Sequence, residues 1–400
     1  MLPDTAVASD RNVTNRFGAA VPRGLPESDT LIKTSMFSGY YQNKRVLVTG
    51  HTGFKGGWLS LWLKGLGAQV HGVSLPPPTN PNFHELIWEH TFVSETERDI
   101  RDLAPLATTV RKIAPDMIFH LAAQPIVRRS YTEPLETFNI NTVGTAHLLE
   151  SVRLAQLPCP VIVITSDKCY ENREEDYAYS ETDPLGGHDV YSMSKAAAEL
   201  VAQSWNKSFF LPNPSLGPVV TVRAGNVIGG GDYAADRIVP DCVRALGESR
   251  PILVRNPAAV RPWQHVLECL GGYLWLGARL ARDGKNSPLA SPFNFGPDAA
   301  AQQPVRKLVE AVLREWPGKW HDASDPRHPH EAKRLTLSIK KAATLLDWYP
   351  VWNFSEAVSQ TVSWYRARHD LKHADMLGFS QSQINNYVNT ARQRNSPWTQ

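Results

Sequence analysis

The sequence is short of cysteine, with four in 400 residues: Cys159, Cys169, Cys242 and Cys269. None forms a CxxC pair, so a disulfide framework and a cysteine metal cage are not expected, and a reducing cytoplasm suits the chain. An excess of one charge is also missing. The 42 basic and 39 acidic residues leave no footprint for nucleic acid or an anionic membrane as partner. No apolar run approaches the ~20 residues that span a bilayer. The N-terminus lacks the apolar core of a secretory signal. Hydrophobic periodicity is absent from residues 1–40, which are expected to form a disordered extension, and Met36 offers an alternative start.

Past that extension, glycine is used with purpose. Lys44–Thr49 is a short apolar run ending in Gly50, and glycines recur at Gly53 and Gly56. A helical pattern follows through Trp58, Leu59, Leu61, Trp62, Leu63 and Leu66. Strand, tight turn and helix in that order place free N–H groups and a positive dipole end where a pyrophosphate can sit. The spacing is Gly-x-x-Gly-x-x-Gly, and an ordinary βα turn is the alternative.

Further strands are expected at Gln69–Ser74, Asp116–Leu121, Val161–Thr165 and Val219–Arg223, with helices between them, such as Thr142–Ala155 and Ser192–Trp205. Buried strands alternating with helices predict an α/β, Rossmann-type, doubly wound parallel sheet. After Gly225 the pattern loosens. Residues 41–225 are expected to bind the dinucleotide, and 226–400 to form mainly a smaller, interleaved C-terminal substrate lobe.

Two polar clusters stand at ends of these strands, where ligands of such sheets bind. Tyr191 and Lys195, at i and i+4, share a helix face, and an ammonium near tyrosine favours the tyrosinate that takes an alcohol proton. Two surface residues are the alternative. Ser166-Asp167-Lys168 follows a buried strand directly, and a solvated loop is the alternative there. Cys169 is expected to be a packed small residue.

The motifs TGHTGFKGGWLSLWL, HLAAQPIVRRSY, TSDKCYEN, YSMSK, RAGNVIGGGD, DRIVPD, RPWQHV, NFGP and HPHEA occur in this order. With them the chain, from about Arg45 to about Tyr387, resembles the extended short-chain dehydrogenase/reductase superfamily in its nucleotide-sugar 4,6-dehydratase branch. The resemblance implies NAD as cofactor, CDP-glucose as substrate, a homodimer, and a place in making deoxysugars of a cell-surface polysaccharide. It implies oxidation at C4 by Tyr191 and Lys195, elimination of water across C5 and C6, and hydride return to C6. Asp167 matches the acid and Ser166 the hydroxyl on the C4 oxygen. Lys168 is the base if it is neutral, or else only orients the sugar.

Thr49, Gly50, Thr52, Gly53, Phe54 and Gly56 match the cofactor turn, Asp99 and Ile100 the adenine pocket, and Ala122, Ala123 and Gln124 the nicotinamide side. Asn141 matches a structural asparagine. Ser74 stands where an acid would grip the adenosine ribose, and no arginine is expected there to meet a 2′-phosphate. For the nucleotide sugar, the candidates are Arg128, Asn226, Arg237, Arg261, Trp263, His265 and His330. No metal is expected, because His321, His328 and His330 lack ligand spacing. A C4-epimerase, a dehydratase for another nucleotide and a non-catalytic NAD sensor are the competing readings. The intact Tyr–Lys pair argues against the sensor, and the adjacent Asp167-Lys168 against the epimerase.

Overall fold

The computed structural model describes residues 36–325, 327, 332, 334–371 and 375–400. Its centre is a seven-stranded, wholly parallel sheet: β1 Arg45–Thr49, β2 Gln69–Ser74, β3 Phe92–Glu97, β4 Met117–His120, β5 Val161–Ile164, β6 Val219–Ala224 and β7 Phe293–Phe295. The spatial order is β3-β2-β1-β4-β5-β6-β7. The chain reverses direction of growth between β1 and β4, and the carboxyl ends of these two strands open the crevice where such sheets bind ligands.

The strand sequences explain the layers. Val46 and Val48 of β1, Met117 and Phe119 of β4, and Ile162 and Ile164 of β5 point to one face. Leu47, Ile118, Val161 and Val163 point to the other. Each strand is therefore apolar on both sides, and helices cover both faces. The helices used below are α1 Phe54–Gly65, α2 His84–Thr91, α3 Leu103–Ile113, α4 Gly144–Leu154, α5 Val190–Trp205, α6 Ile238–Gly247, α7 Val266–Asp283, α8 Phe354–Asp370 and α9 Met376–Gln393. α3, α4 and α5 pack one face through Val110, Leu148 and Ala202. α1 and α7 pack the other. α1 is buried nearly all round, with Trp58, Leu59, Trp62 and Leu63 all inaccessible to solvent, because it lies between the sheet and the C-terminal helices.

The core extends beyond the lobes read from sequence. Met36 and Phe37 are buried, and Phe37 stacks on Trp398 beside Trp62. β7 lies beyond residue 225 yet completes the sheet against β6. β3 and β7 are absent from the sequence reading. β3, Phe-Val-Ser-Glu-Thr-Glu, is an edge strand with alternate residues exposed, and β7 has only three residues.

One buried carboxyl ties α7 to the C-terminal region. Glu268 accepts hydrogen bonds from the Val351 and Trp352 amides at 2.8 and 2.6 Å and from the Tyr387 hydroxyl at 2.9 Å. Burial, the largest influence, still pushes its pKa up from 4.5 to about 7. The folded state thus holds a proton that the unfolded chain releases. The stabilisation, about 3 kcal/mol, is complete below the unfolded pKa and is lost as pH rises through about 7. Glu268→Gln should flatten this loss. The gap in melting temperature between wild type and variant should shrink or reverse from about pH 5 to about pH 8; a constant gap would contradict the assignment.

Candidate active site

The turn after β1 is closed by steric necessity. Gly50 has φ +73°, and a Cβ there would lie 2.6 Å from the Ala122 amide nitrogen. A Cβ at Gly56 would lie 2.1 Å from the Gly50 carbonyl oxygen. The β1 turn and the β4 end are therefore in backbone contact, and Thr49 fastens them. Its hydroxyl is 2.7 Å from His120 Nδ1 and accepts from the Ala122 amide at 3.3 Å. Gly53 caps α1 without a side-chain bond, and no acid occupies the first turn. The first amides of α1 are left for an anion at a cleft of about 1120 Å³ lined by Gly50, Thr52, Gly53, Phe54, Lys55 and Gly56. A cradle that any side chain would fill, ending in free amides, fits the pyrophosphate of a dinucleotide.

Asp99 and Ile100 line the cleft beyond β3. The Asp99 carboxylate is gripped by Arg101, which also bonds Glu136, and these hydrogen bonds hold its pKa below the usual carboxylate range. Ser74 bonds Thr52 across the turn at 2.8 Å. Ser74 has an arginine as its backbone neighbour just past the next strand. Arg98, one residue past β3, donates its amide to the Ser74 carbonyl, lines the cleft, and has a buried Nε with no partner among the described residues. The β2–β3 register, Ser74 opposite Glu97, brings it there; the unread edge strand hid it.

Ala122, Ala123 and Gln124 line the opposite wall. Asn141 fixes them to α5: it accepts from the Gln124 amide at 2.8 Å and donates to the Gln124 carbonyl and the Ser194 hydroxyl. Tyr191 and Lys195 stand on the first two turns of α5, both buried at the cleft wall. Across from them, β5 ends in a short turn capped by Ser166, whose hydroxyl donates to Asp167 at 2.9 Å and accepts from the Lys168 amide at 3.3 Å. Ser166 also acts on Tyr191, pulling its pKa down, so hydroxyl, hydroxyl and carboxyl are gathered in one row at the cleft wall.

Burial sets the electrostatics. It raises the Asp167 pKa, against pulls from Lys168, Ser166, Arg261 and Lys55, so the carboxyl leans toward its protonated, proton-giving form. It lowers Lys195 to about 8, helped by Lys55. Burial pushes Tyr191 up to about 12, and Ser166 and Arg237 pull against it. The row rests on a buried ion pair, Glu199–Arg223 at 2.8 Å. Thr165 donates to Glu199, and Arg223 donates to the Tyr170 hydroxyl at 2.6 Å. Cys169 is fully buried, and burial raises its thiol well above the ordinary value.

Arg128, Asn226, Arg237, Arg261 and Trp263 all line the cleft beyond this row. Arg237 pairs with Asp232 at 2.9 Å and Arg128 with Asp236 at 3.4 Å. Arg255 also pairs with Asp236 and faces the cleft. Neither Arg255 nor Lys55 is among the residues picked from sequence. Lys55 was visible inside the glycine stretch, but only the fold shows that it acts on both Asp167 and Lys195. His265 does not join the site. It is fully buried, accepts from the Leu267 amide as the cap of α7, and packs edge-on against Trp352; burial lowers its pKa to about 3. His330 lies outside the described residues.

The model of the GDP-mannose 4,6 dehydratase family matches residues 47–361. The chain belongs to that family. Among curated relatives of this dehydratase family, a CDP-glucose 4,6-dehydratase of Salmonella typhimurium is 43% identical over 357 residues, 87% of this chain and 97% of the relative. A dTDP-glucose 4,6-dehydratase of Xanthomonas campestris is 26% identical, covering 80% of this chain and 92% of the relative. Among solved structures, an epimerase of Methanothermobacter thermautotrophicus superposes with TM-score 0.72 at 23% identity, covering 86% of this chain and 97% of that one. A dTDP-glucose 4,6-dehydratase of Streptomyces venezuelae, solved with NAD, superposes with TM-score 0.69 at 24% identity, covering 82% and 98%. These two likenesses carry the fold.

Proposed function

We propose that this dehydratase-family chain converts CDP-D-glucose to CDP-4-dehydro-6-deoxy-D-glucose and water. The observation that carries the reading is the Tyr191–Ser166–Asp167 row with Lys168 beside it, facing Lys195 in a cleft large enough for two nucleotides. NAD+ bound at the glycine turn supplies the hydride acceptor and later the donor. Tyr191 accepts the C4 hydroxyl proton, and Ser166 holds the C4 oxygen. With C4 a ketone, the C5 hydrogen is acidic; Lys168 removes it while Asp167 protonates the departing C6 hydroxyl. Lys195 orients the nicotinamide ribose. Arg128, Arg237, Arg255 and Arg261 provide cations for the diphosphate. The cytidine choice rests on the 43% identical relative.

Turnover of CDP-glucose in deuterated water tests the reading. Product is expected to carry deuterium at C5, with no net build-up of reduced nicotinamide. Unlabelled C5, or epimerisation of UDP-glucose with CDP-glucose returned unchanged, would overturn it. The chain is further proposed to act as a cytoplasmic homodimer. Four free, buried cysteines suit that compartment, and Met193 and Leu200 leave apolar surface exposed on α5, the helix through which the superfamily pairs.

A further inference from the structure

We propose that His51, His84 and Glu95 form a zinc site outside the catalytic cleft. The three residues come from different elements: the turn after β1, the first residue of α2 and the middle of edge strand β3. One Glu95 carboxylate oxygen lies 2.8 Å from His51 Nε2 and 2.5 Å from His84 Nε2, and the three ligand atoms all fall within 4.8 Å of one another.

The rings are held in place before any ion arrives. Gly72 lies beneath His51, since a Cβ at 72 would come within 2.6 Å of the imidazole. Glu95 stands opposite Gly72 in the β2–β3 register, which carries its carboxylate to the same spot. Phe92 meets the His51 ring edge-on at 4.9 Å, and His84 meets it at 5.5 Å. The His51 side chain is 3% exposed, His84 15% and Glu95 28%, so solvent reaches the cluster mainly at Glu95. A water from solvent would be the fourth ligand.

The donor set selects the ion. Two imidazoles and one carboxylate suit zinc, whereas magnesium and calcium prefer oxygen alone. Zinc bonds of about 2.0–2.2 Å put tetrahedral ligands about 3.3 Å apart, so the carboxylate oxygen retreats by less than about 1 Å from each ring. A second observation points the same way. When both Nε2 atoms donate to Glu95, His51 Nδ1 is left as a buried acceptor with no partner among the described residues. A cation on Nε2 moves the proton to Nδ1, toward the Val73 carbonyl, which orients the ring as outer ligands of metal-bound histidines do. A bound ion would tie the edge strand and α2 to the glycine turn.

The test uses the full chain, stripped with chelator, reloaded with zinc and desalted. Wild type is expected to retain about one zinc per chain and to melt several degrees higher with zinc than without. Glu95→Gln and His84→Ala, both away from the cleft, should retain less than about a tenth of that zinc and lose the shift. Cobalt loaded into wild type should give the strong visible bands of a tetrahedral site, absent in His84→Ala. The proposal is overturned if wild type retains no more zinc than the variants, if zinc shifts the melting of all three equally, or if cobalt gives no such bands. The cobalt spectrum of wild type decides the matter even where a variant fails to fold.

Discussion

Asp167→Asn should lower turnover of CDP-glucose by about 10²–10⁴-fold, the range a positioned general acid provides, with little change in KM. The mutated enzyme should still oxidise C4, because Tyr191, Ser166 and Lys195 are untouched. Reduced nicotinamide should therefore build up to about one per active site and persist, where wild type shows none. The asymmetry follows from burial. Asp167 is 4% exposed, and desolvation raises its pKa more than Lys168, Ser166, Arg261 and Lys55 together lower it. Asparagine fills the same space and can hold the C6 oxygen, but it has no proton to give. Gly225 makes the site close-fitting, since a Cβ there would stand 3.2 Å from the Asp167 carboxylate. Deuterium exchange at C5 in the stalled enzyme separates the roles of Lys168: exchange that continues in Asp167→Asn and stops in Lys168→Gln marks Lys168 as the base. A variant that keeps full turnover removes Asp167 from the chemistry.

What the sequence made legible followed local rules. Gly50 and Gly56 announced the turn because backbone contact there tolerates nothing larger, and runs such as Val161–Ile164 announced central strands because both their faces are buried. The carboxyl-end rule then placed Ser166, Asp167 and Lys168 at the cleft wall. Illegible parts depended on long-range pairing. Arg98 reaches Ser74 only through the register of an edge strand whose polar face disguises it. Arg255 meets Asp236 across 19 residues of chain, and Lys55 acts on Asp167 and Lys195 from a position that a helix pattern cannot aim. His265 misled for the opposite reason. A histidine beside a tryptophan in a specific motif looks like a ligand contact, but here it caps α7 inside a cage of aromatic rings.

Tyr191→Phe should act one step earlier than Asp167→Asn and leave a different trace. Turnover should fall by about 10²–10⁴-fold, about 3–5 kcal/mol of transition-state stabilisation. Reduced nicotinamide should not appear and C5 should not exchange, because both follow C4 oxidation. The tyrosine begins as a weak base, because burial holds it near 12. Its proton must therefore be drawn off by groups that do act on it. Ser166 and Arg237 lower its pKa, while a nicotinamide cation in the cleft adds to the same pull. On this account substrate and cofactor both help to activate the base, Arg237 being shared between phenol and diphosphate. Ser166→Ala should then weaken oxidation less than Tyr191→Phe and shift its rise to higher pH. If Tyr191→Phe still accumulates reduced nicotinamide at the wild-type rate, another group takes the C4 proton, and the Tyr191–Ser166–Asp167 row does not work as a relay.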